Sequence, residues 1–215
     1  MLLKATSKGG IYMVLDIFTN TLNKIWPVIA IFLCVLITVR VAYLITNHKK
    51  IELYKEVFAL IFVIYILLLF ELLTATDTNP YHGINLKPFT EITRYKFGTR
   101  LFNINVFGNI LIFIPFGLFI SSYLKSKKVF SVFFITLITS TFAELVQLKI
   151  GRSFDIDDII LNVTGSIIGY LIYIGLKSVK EKLPNILKKD FVYNIFSLLI
   201  FALIIWWLIS RIGII

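Results

Sequence analysis

The sequence predicts an all-α fold: a polytopic membrane helix bundle of about six transmembrane helices, with an N-terminal amphipathic segment. Hydrophobic residues make up 58% of the 215 residues, and charged residues make up only 16%. A soluble domain has about 25% charged residues. Two runs without a charged residue, 101–124 and 191–210, each match the roughly 20 apolar residues that cross a bilayer as a helix. The chain is therefore expected to be an integral membrane protein.

Four further spans are predicted when one charged residue is allowed in or near each apolar segment. In chain order they are residues 25–45, 57–73, 129–148 and 158–176. The predicted organisation has four parts: an N-terminal amphipathic or interfacial segment at 1–24, the first two helices at 25–73, a core of one loop and three helices at 84–172, and a basic loop with the last helix at 177–215.

Apolar residues at helical spacing, from Ile11 to Ile25, predict that the N-terminal segment is helical. It is either an interfacial helix or an early extension of the first span, and the interfacial interpretation is favoured. Asp16 interrupts the apolar stretch and no small-residue cleavage site follows, so we expect no removal as a signal peptide.

Basic residues predict the orientation of the bundle. The connections at 46–56, 124–128 and 177–190 hold eleven Lys and Arg in thirty residues, whereas the opposite side holds ten in sixty-nine. The positive-inside rule places the dense side in the cytoplasm and both termini outside. Topology and anionic lipid headgroups account for the net charge of +10, so nucleic acid is not an expected partner and the lipid bilayer is.

Polar residues are concentrated between residues 144 and 162. Glu144 and Gln147 share one helical face, while Asp158 and Asn162 begin a stripe that continues to small residues at Gly165 and Gly169. Acidic residues here fit ordinary helix capping, but so many polar groups at the edge of a membrane favour a shared functional site. The GxxxG spacing of the two glycines favours helix packing over dimerisation.

Polar residues on the outer side of the membrane also occur in the third span and in the long loop that precedes it. Asn109 lies near the outer end of the third span, and residues 84–92 of the long preceding loop alternate apolar and polar residues around Pro88, so this segment is a candidate lid. Arg40 in the first span either faces a partner in the bundle or extends to the headgroups, and the latter is favoured.

Four blocks in this order closely resemble the VanZ-like membrane family: INLKPFTEI at 84–92, GNILIFIPFG at 108–117, AELVQ at 143–147 and GRSFDIDDIILNVTGSIIGY at 151–170. The resemblance covers about residues 84–172. It implies a small polytopic membrane protein associated with low-level resistance to the glycopeptide teicoplanin, or with envelope homeostasis. Carried over by position, the candidate binding residues are Asn85, Asn109, Glu144, Gln147, Arg152, Asp155, Asp158 and Asn162, and the structural motif residues are Pro88, Phe89, Pro115, Gly117, Gly165 and Gly169. Lys87 departs from the apolar residue that the family often has there.

Two functional hypotheses remain open. In the first, an outward polar pocket binds the headgroup of an envelope lipid or a cell-wall precursor, since arginine suits phosphate and amides suit sugar or peptide groups. In the second, an intramembrane enzyme acts on a lipid or isoprenoid headgroup, with Glu144 as candidate general base. No serine or cysteine nucleophile lies beside a histidine, so binding is favoured, and no cofactor or metal is expected. Glu144 and Arg152 are expected to pair, with Asn109, Asp158 and Asn162 lining the same pocket.

Overall fold

The computed structural model describes residues 10–74, 83–125, 128–185, 187 and 189–212. Its helices are α1 Gly10–Thr46, α2 Leu53–Thr74, α3 Thr90–Arg94, α4 Arg100–Phe102, α5 Asn109–Leu124, α6 Val129–Lys149, α7 Ile156–Lys182 and α8 Asp190–Ile212. A π-helical turn, Asn103–Gly108, joins α4 to α5. Two short strands, β1 Ile84–Asn85 and β2 Phe154–Asp155, pair in parallel with Ile84 opposite Phe154.

The predicted all-α bundle with about six transmembrane helices is confirmed. Within the described residues, six helices are long and apolar enough to cross a membrane. They are Leu15–Thr46, Leu53–Thr74, Arg100–Leu124, Val129–Lys149, Ile156–Lys182 and Asp190–Arg211. Each predicted span lies within one of these helices, because a long apolar run leaves the backbone no alternative in lipid but to satisfy its hydrogen bonds internally.

The N-terminal segment is helical, as predicted. Residues from Gly10 to Thr46 form one uninterrupted helix, so no helix ends at the expected boundary after residue 24, and the interfacial location of the first turns stays a prediction. Pro27 lies inside this helix. A proline removes a single backbone donor, and apolar helices of membrane proteins tolerate it.

The described chain forms two compact units. The first, here called the motif unit, contains the residues up to Thr19 and Leu69–Ser178. The second unit contains Asn20–Leu68 and the residues from Val179 onward. The core of the second unit is apolar: Ile25, Ile29 and Leu33 of α1 pack with Leu68 of α2 and Leu208 of α8. The four blocks that carry the family resemblance lie in the motif unit.

Small residues set the spacing of α5 and α7 inside the motif unit. A Cβ added at Gly165 would lie 3.1 Å from the Cα of Ile110, and one at Gly117 would lie 2.6 Å from the Cα of Ser166. A Cβ at Gly169 would lie 2.8 Å from the backbone nitrogen of Leu118. The two backbones therefore touch along this stripe, a contact that only small residues permit in membrane helices.

Arg40 has a partner from the neighbouring helix, while contact of its exposed edge with the headgroups stays a prediction. Its Nε and Nη2 donate to the two carboxylate oxygens of Glu56, at 2.8 and 2.9 Å. Such a bidentate pair offsets the cost of holding a guanidinium within a transmembrane helix. Arg40 thus follows the alternative of a partner within the bundle.

Candidate functional site

A stripe of polar side chains runs along the inner face of α6. Thr136, Ser140, Glu144 and Gln147 follow one another at spacings of four, four and three residues, and each is at most 3% exposed. This spacing places the four side chains on one face of the helix. A polar stripe thus enters the interior of the motif unit from the C-terminal end of α6.

Glu144 supplies the carboxylate of this stripe and lies near Arg152. Its Oε2 accepts a hydrogen bond from the backbone N–H of Asp155 at 2.9 Å, and the charge of Arg152 acts favourably on the carboxylate. The predicted direct pairing of the two side chains stays a prediction. The buried carboxylate of Glu144 thus has a backbone donor and a neighbouring cation.

Gln147 and Arg152 both bind the C-terminal end of α2. The Nε2 of Gln147 and the Nη1 of Arg152 donate to the carbonyl oxygen of Leu73, at 2.9 and 3.1 Å. The last carbonyls of a helix lack partners within the helix, so Leu73 O is a natural acceptor there. These bonds hold the ends of α2 and α6 together, next to Glu144.

Residues 84–92, here called the strap, are attached to the start of α7 by two aspartates. Asp155 accepts hydrogen bonds from Nδ2 of Asn85, at 3.1 and 3.2 Å. Asp157 is fully buried and accepts from the backbone N–H groups of Phe89, at 2.5 Å, and Ile92, at 3.3 Å. Phe89 has a φ of 65°, an uncommon conformation for a bulky residue that must be supported by its surroundings. The carboxylate of Asp157 supplies that support.

Two asparagines complete the polar contacts between the helices. Nδ2 of Asn109 on α5 donates to Oδ1 of Asp158 on α7 at 2.6 Å. Deeper in the unit, Nδ2 of Asn162 donates to Oγ of Ser140 at 2.9 Å. The Oδ1 of Asn162 and the Oγ1 of Thr136 are buried and have no hydrogen-bond partner within the described structure. The structure therefore joins Asn109 to Asp158 and Asn162 to Ser140.

The predicted binding residues divide into two layers. Glu144, Gln147, Asp155 and Asn162 are buried, whereas Asn85, Asn109, Arg152 and Asp158 are half-buried. The buried layer is held by internal hydrogen bonds, and the half-buried layer is partly exposed to the surroundings. Within the described ranges no three His, Cys, Asp or Glu residues form a group that could hold a metal ion.

The structural motif residues lie in the strap, within α5 and at the contact between α5 and α7. Pro88 and Phe89 are exposed in the strap, Pro115 lies inside α5, and Gly117, Gly165 and Gly169 lie at the contact between α5 and α7. Glu71 belongs to the last turns of α2, two residues before the carbonyl that Gln147 binds.

Three polar residues of this site were absent from the predicted set. Asp157 was one of three neighbouring aspartates for which capping and a shared site were both weighed, but it was not among the residues carried over by position, and Ser140 and Thr136 had not been considered. The sequence held a usable signal for the last two, because they precede Glu144 by one and two helical turns on the same face. Asp157 could not be separated from its acidic neighbours by spacing, because its partners are backbone groups 65 and 68 residues away in the chain.

Comparison with known proteins identifies the family of this chain. A family model described as VanZ/LLP1 matches residues 57–179, which include the strap, α5, α6 and most of α7. Protein VanZ of Enterococcus faecium is 32% identical over 97 residues, which cover 43% of this chain and 55% of that relative. The chain thus spans about half the length of the curated relative that it matches. No solved structure matches it.

Proposed function

We propose that this chain, which belongs to the VanZ/LLP1 family, binds the headgroup of an envelope lipid or a lipid-linked cell-wall intermediate at the outer face of the membrane. Through this binding it contributes to resistance to the glycopeptide teicoplanin or to envelope homeostasis. One observation carries the proposal: the four sequence blocks that resemble the family come together in one hydrogen-bonded polar cluster at one end of the motif unit.

The predicted topology places this cluster outside the cytoplasm. With both termini outside, the C-terminal ends of α2 and α6 and the N-terminal end of α7 all lie on the outer side. Hydrogen bonds from Gln147 and Arg152 to Leu73, and from Asp155 to Glu144, join these same three ends. The three helix ends therefore lie close together on the predicted outer side, as a site shared between them requires.

The chemistry of the half-buried layer favours an anionic headgroup with hydroxyl or amide groups. Arg152 presents a guanidinium, which suits phosphate and carboxylate geometry. Asn85 and Asn109 lie nearby in the same polar cluster and each has an amide, which both donates and accepts hydrogen bonds. The loop between the strap and α5 adds three further basic residues: Arg94, Lys96 and Arg100. A lipid-linked phosphate that carries sugar or peptide groups matches this combination.

Binding is favoured over turnover because the carboxylates already accept hydrogen bonds from the protein. Both oxygens of Asp157 bind backbone N–H groups, and Asp155 accepts from Asn85 and from the backbone of Asp157. Glu144 is 1% exposed. A general base must come within hydrogen-bond reach of the proton that it removes, and these groups are directed toward the protein.

The proposal is tested by teicoplanin susceptibility of a sensitive Gram-positive host that expresses wild type, Arg152→Gln or Arg211→Gln at matched membrane levels. Arg211 is an exposed arginine at the end of α8, outside the family match, and serves as the control. We expect wild type and Arg211→Gln to protect and Arg152→Gln to lose protection. Equal protection by wild type and both variants would show that the cluster is scaffolding. If none of the three proteins protects, this chain does not confer teicoplanin resistance in that host.

The alternative function, an intramembrane enzyme, is motivated by the buried carboxylate of Glu144 beside Arg152. Glu144→Gln distinguishes the two functions. Its amide oxygen still accepts the hydrogen bond from Asp155, but an amide does not act as a base at neutral pH. Protection close to that of wild type supports binding. Loss of protection with unchanged amounts of folded protein in the membrane supports a base.

A further inference from the structure

A groove in the second unit has an apolar interior and a charged mouth. It has a volume of about 540 Å³ and lies among α1, α2, the turn that joins them and Phe201 of α8. Its interior is lined by aliphatic residues such as Leu36, Leu60 and Val63, and three of the lining residues are charged: Arg40, Lys55 and Glu56. The volume lies within the roughly 300–1,000 Å³ of sites that hold small ligands.

We propose that this groove binds one anionic phospholipid of the surrounding bilayer, with an acyl chain along the apolar interior and the phosphate at Arg40 and Lys55. The proposal is independent of the function proposed for the motif unit, because all the residues involved belong to the second unit.

The charge of the segment that contains and flanks the charged lining residues favours one class of lipid. Between residues 40 and 56 the chain has four basic side chains, Arg40, Lys49, Lys50 and Lys55, against two acidic ones, Glu52 and Glu56. Glu52 is paired with Lys55 at 2.5 Å, and this hydrogen bond lowers the pKa of the Glu52 carboxyl. The segment therefore has two more basic than acidic side chains. Basic residues at a membrane surface attract anionic lipids.

The geometry of Arg40 leaves donors for a phosphate. The pair with Glu56 uses Nε and Nη2, whereas a guanidinium has five N–H donors in a planar fork. The Arg40 side chain is 52% exposed, and its guanidinium lies 5.4 Å from the ring centre of Tyr43. A phosphate oxygen can thus bind the outer edge of Arg40 while Glu56 orients the inner edge.

The test uses the purified full chain with phosphatidylglycerol and phosphatidylcholine of identical acyl chains, and native mass spectrometry counts the lipids retained. We expect wild type to retain phosphatidylglycerol several-fold more than phosphatidylcholine. Glu56→Gln should raise this ratio because it removes the competing carboxylate. The double variant Arg40→Gln with Glu56→Gln keeps the net charge of the segment but removes one of the two phosphate ligands, so the ratio should fall below that of wild type. Equal retention of the two lipids by wild type would show ordinary boundary lipid and overturn the proposal.

A second pair of variants tests the place of the acyl chain. Ala59 lines the groove, so Ala59→Trp should abolish selective retention. Ile31 is 65% exposed on α1 and does not line the groove, so Ile31→Trp should retain phosphatidylglycerol like wild type. Equal loss in both variants would place the lipid elsewhere, as would unchanged retention in Ala59→Trp. Exclusion of lipid by a dimer of this chain, seen in the same spectra, would also contradict the proposal.

Discussion

Glycines in α7 differ in what surrounds them, although they lie on one helix. A Cβ at Gly165 would meet the backbone of Ile110, whereas a Cβ at Gly175 would meet nothing within 4 Å. Backbone cannot yield as the end of a flexible side chain can, so the first site is intolerant and the second is open. The surroundings of each glycine therefore decide whether a larger residue is tolerated there.

Gly165→Ala is expected to destabilise the motif unit by about 1–3 kcal/mol, since an added methyl group in a filled contact forces the helices apart. Gly175→Ala is the matched control on the same helix. It is expected to be neutral or to stabilise by up to about 1 kcal/mol, since alanine favours the helix more than glycine does. Thermal unfolding in detergent, followed by the fraction that remains monodisperse, measures both. Equal loss of stability in both variants would contradict the close contact between α5 and α7.

Single residues also mark how far the site could be predicted. The patterns identified Glu144, Gln147, Asp158 and Asn162 because helical spacing relates residues a few positions apart. They could not identify the binding of Asp157 to Phe89, because neither residue indicates a contact 68 positions away. For Arg40, the length of the side chain favoured extension to the headgroups, but it could not indicate the pair with Glu56, which lies sixteen positions away on α2.

The strap is attached to the rest of the motif unit by a small number of contacts. It is joined to the motif unit through the β1–β2 pair and through hydrogen bonds to Asp155 and Asp157. A two-residue pair alone is not stable in isolation. The aspartates therefore carry much of the attachment.

Asp157→Ala is expected to release residues 89–92 while α7 stays folded. Loss of hydrogen bonds to a charged acceptor costs about 1.5–3 kcal/mol, so amide exchange at Phe89 and Ile92 should become at least about tenfold faster. Hydrogen exchange followed by mass spectrometry measures this change. Asp190→Ala, an acid in the first turn of α8, is the control and should leave exchange in the strap unaltered. Unchanged protection in Asp157→Ala would show that other contacts hold the strap.

At the scale of the whole molecule, the fold class followed from composition and from the lengths of apolar runs. All six spans were predicted in this way, since a helix that crosses a bilayer needs about 20 predominantly apolar residues. The N-terminal bound of α1 was not predicted. Residues 10–24 contain enough apolar residues to extend the helix, and no residue between Ile11 and Trp26 stops one.

The orientation prediction is tested by cysteine labelling in a Cys34→Ser background. Lys96→Cys, in the loop before α4, should react with a membrane-impermeant maleimide in intact cells, because the predicted topology places this loop outside. Lys49→Cys, in the turn between α1 and α2, should react only after permeabilisation. Both positions are exposed, so access to reagent is set by the membrane. The reverse pattern would invert the topology and move the polar cluster to the cytoplasmic side.

The length of α1 has a consequence for how the protein accommodates its membrane. Its 37 residues measure about 55 Å along the axis at 1.5 Å per residue. Even at a tilt of about 40°, the upper end of the usual range, a hydrocarbon layer of roughly 30 Å encloses only about 26 residues. About three turns of α1 must therefore extend into the headgroup region or beyond it. A thicker bilayer can draw those turns inward, so this helix can follow changes in membrane thickness without exposing an end.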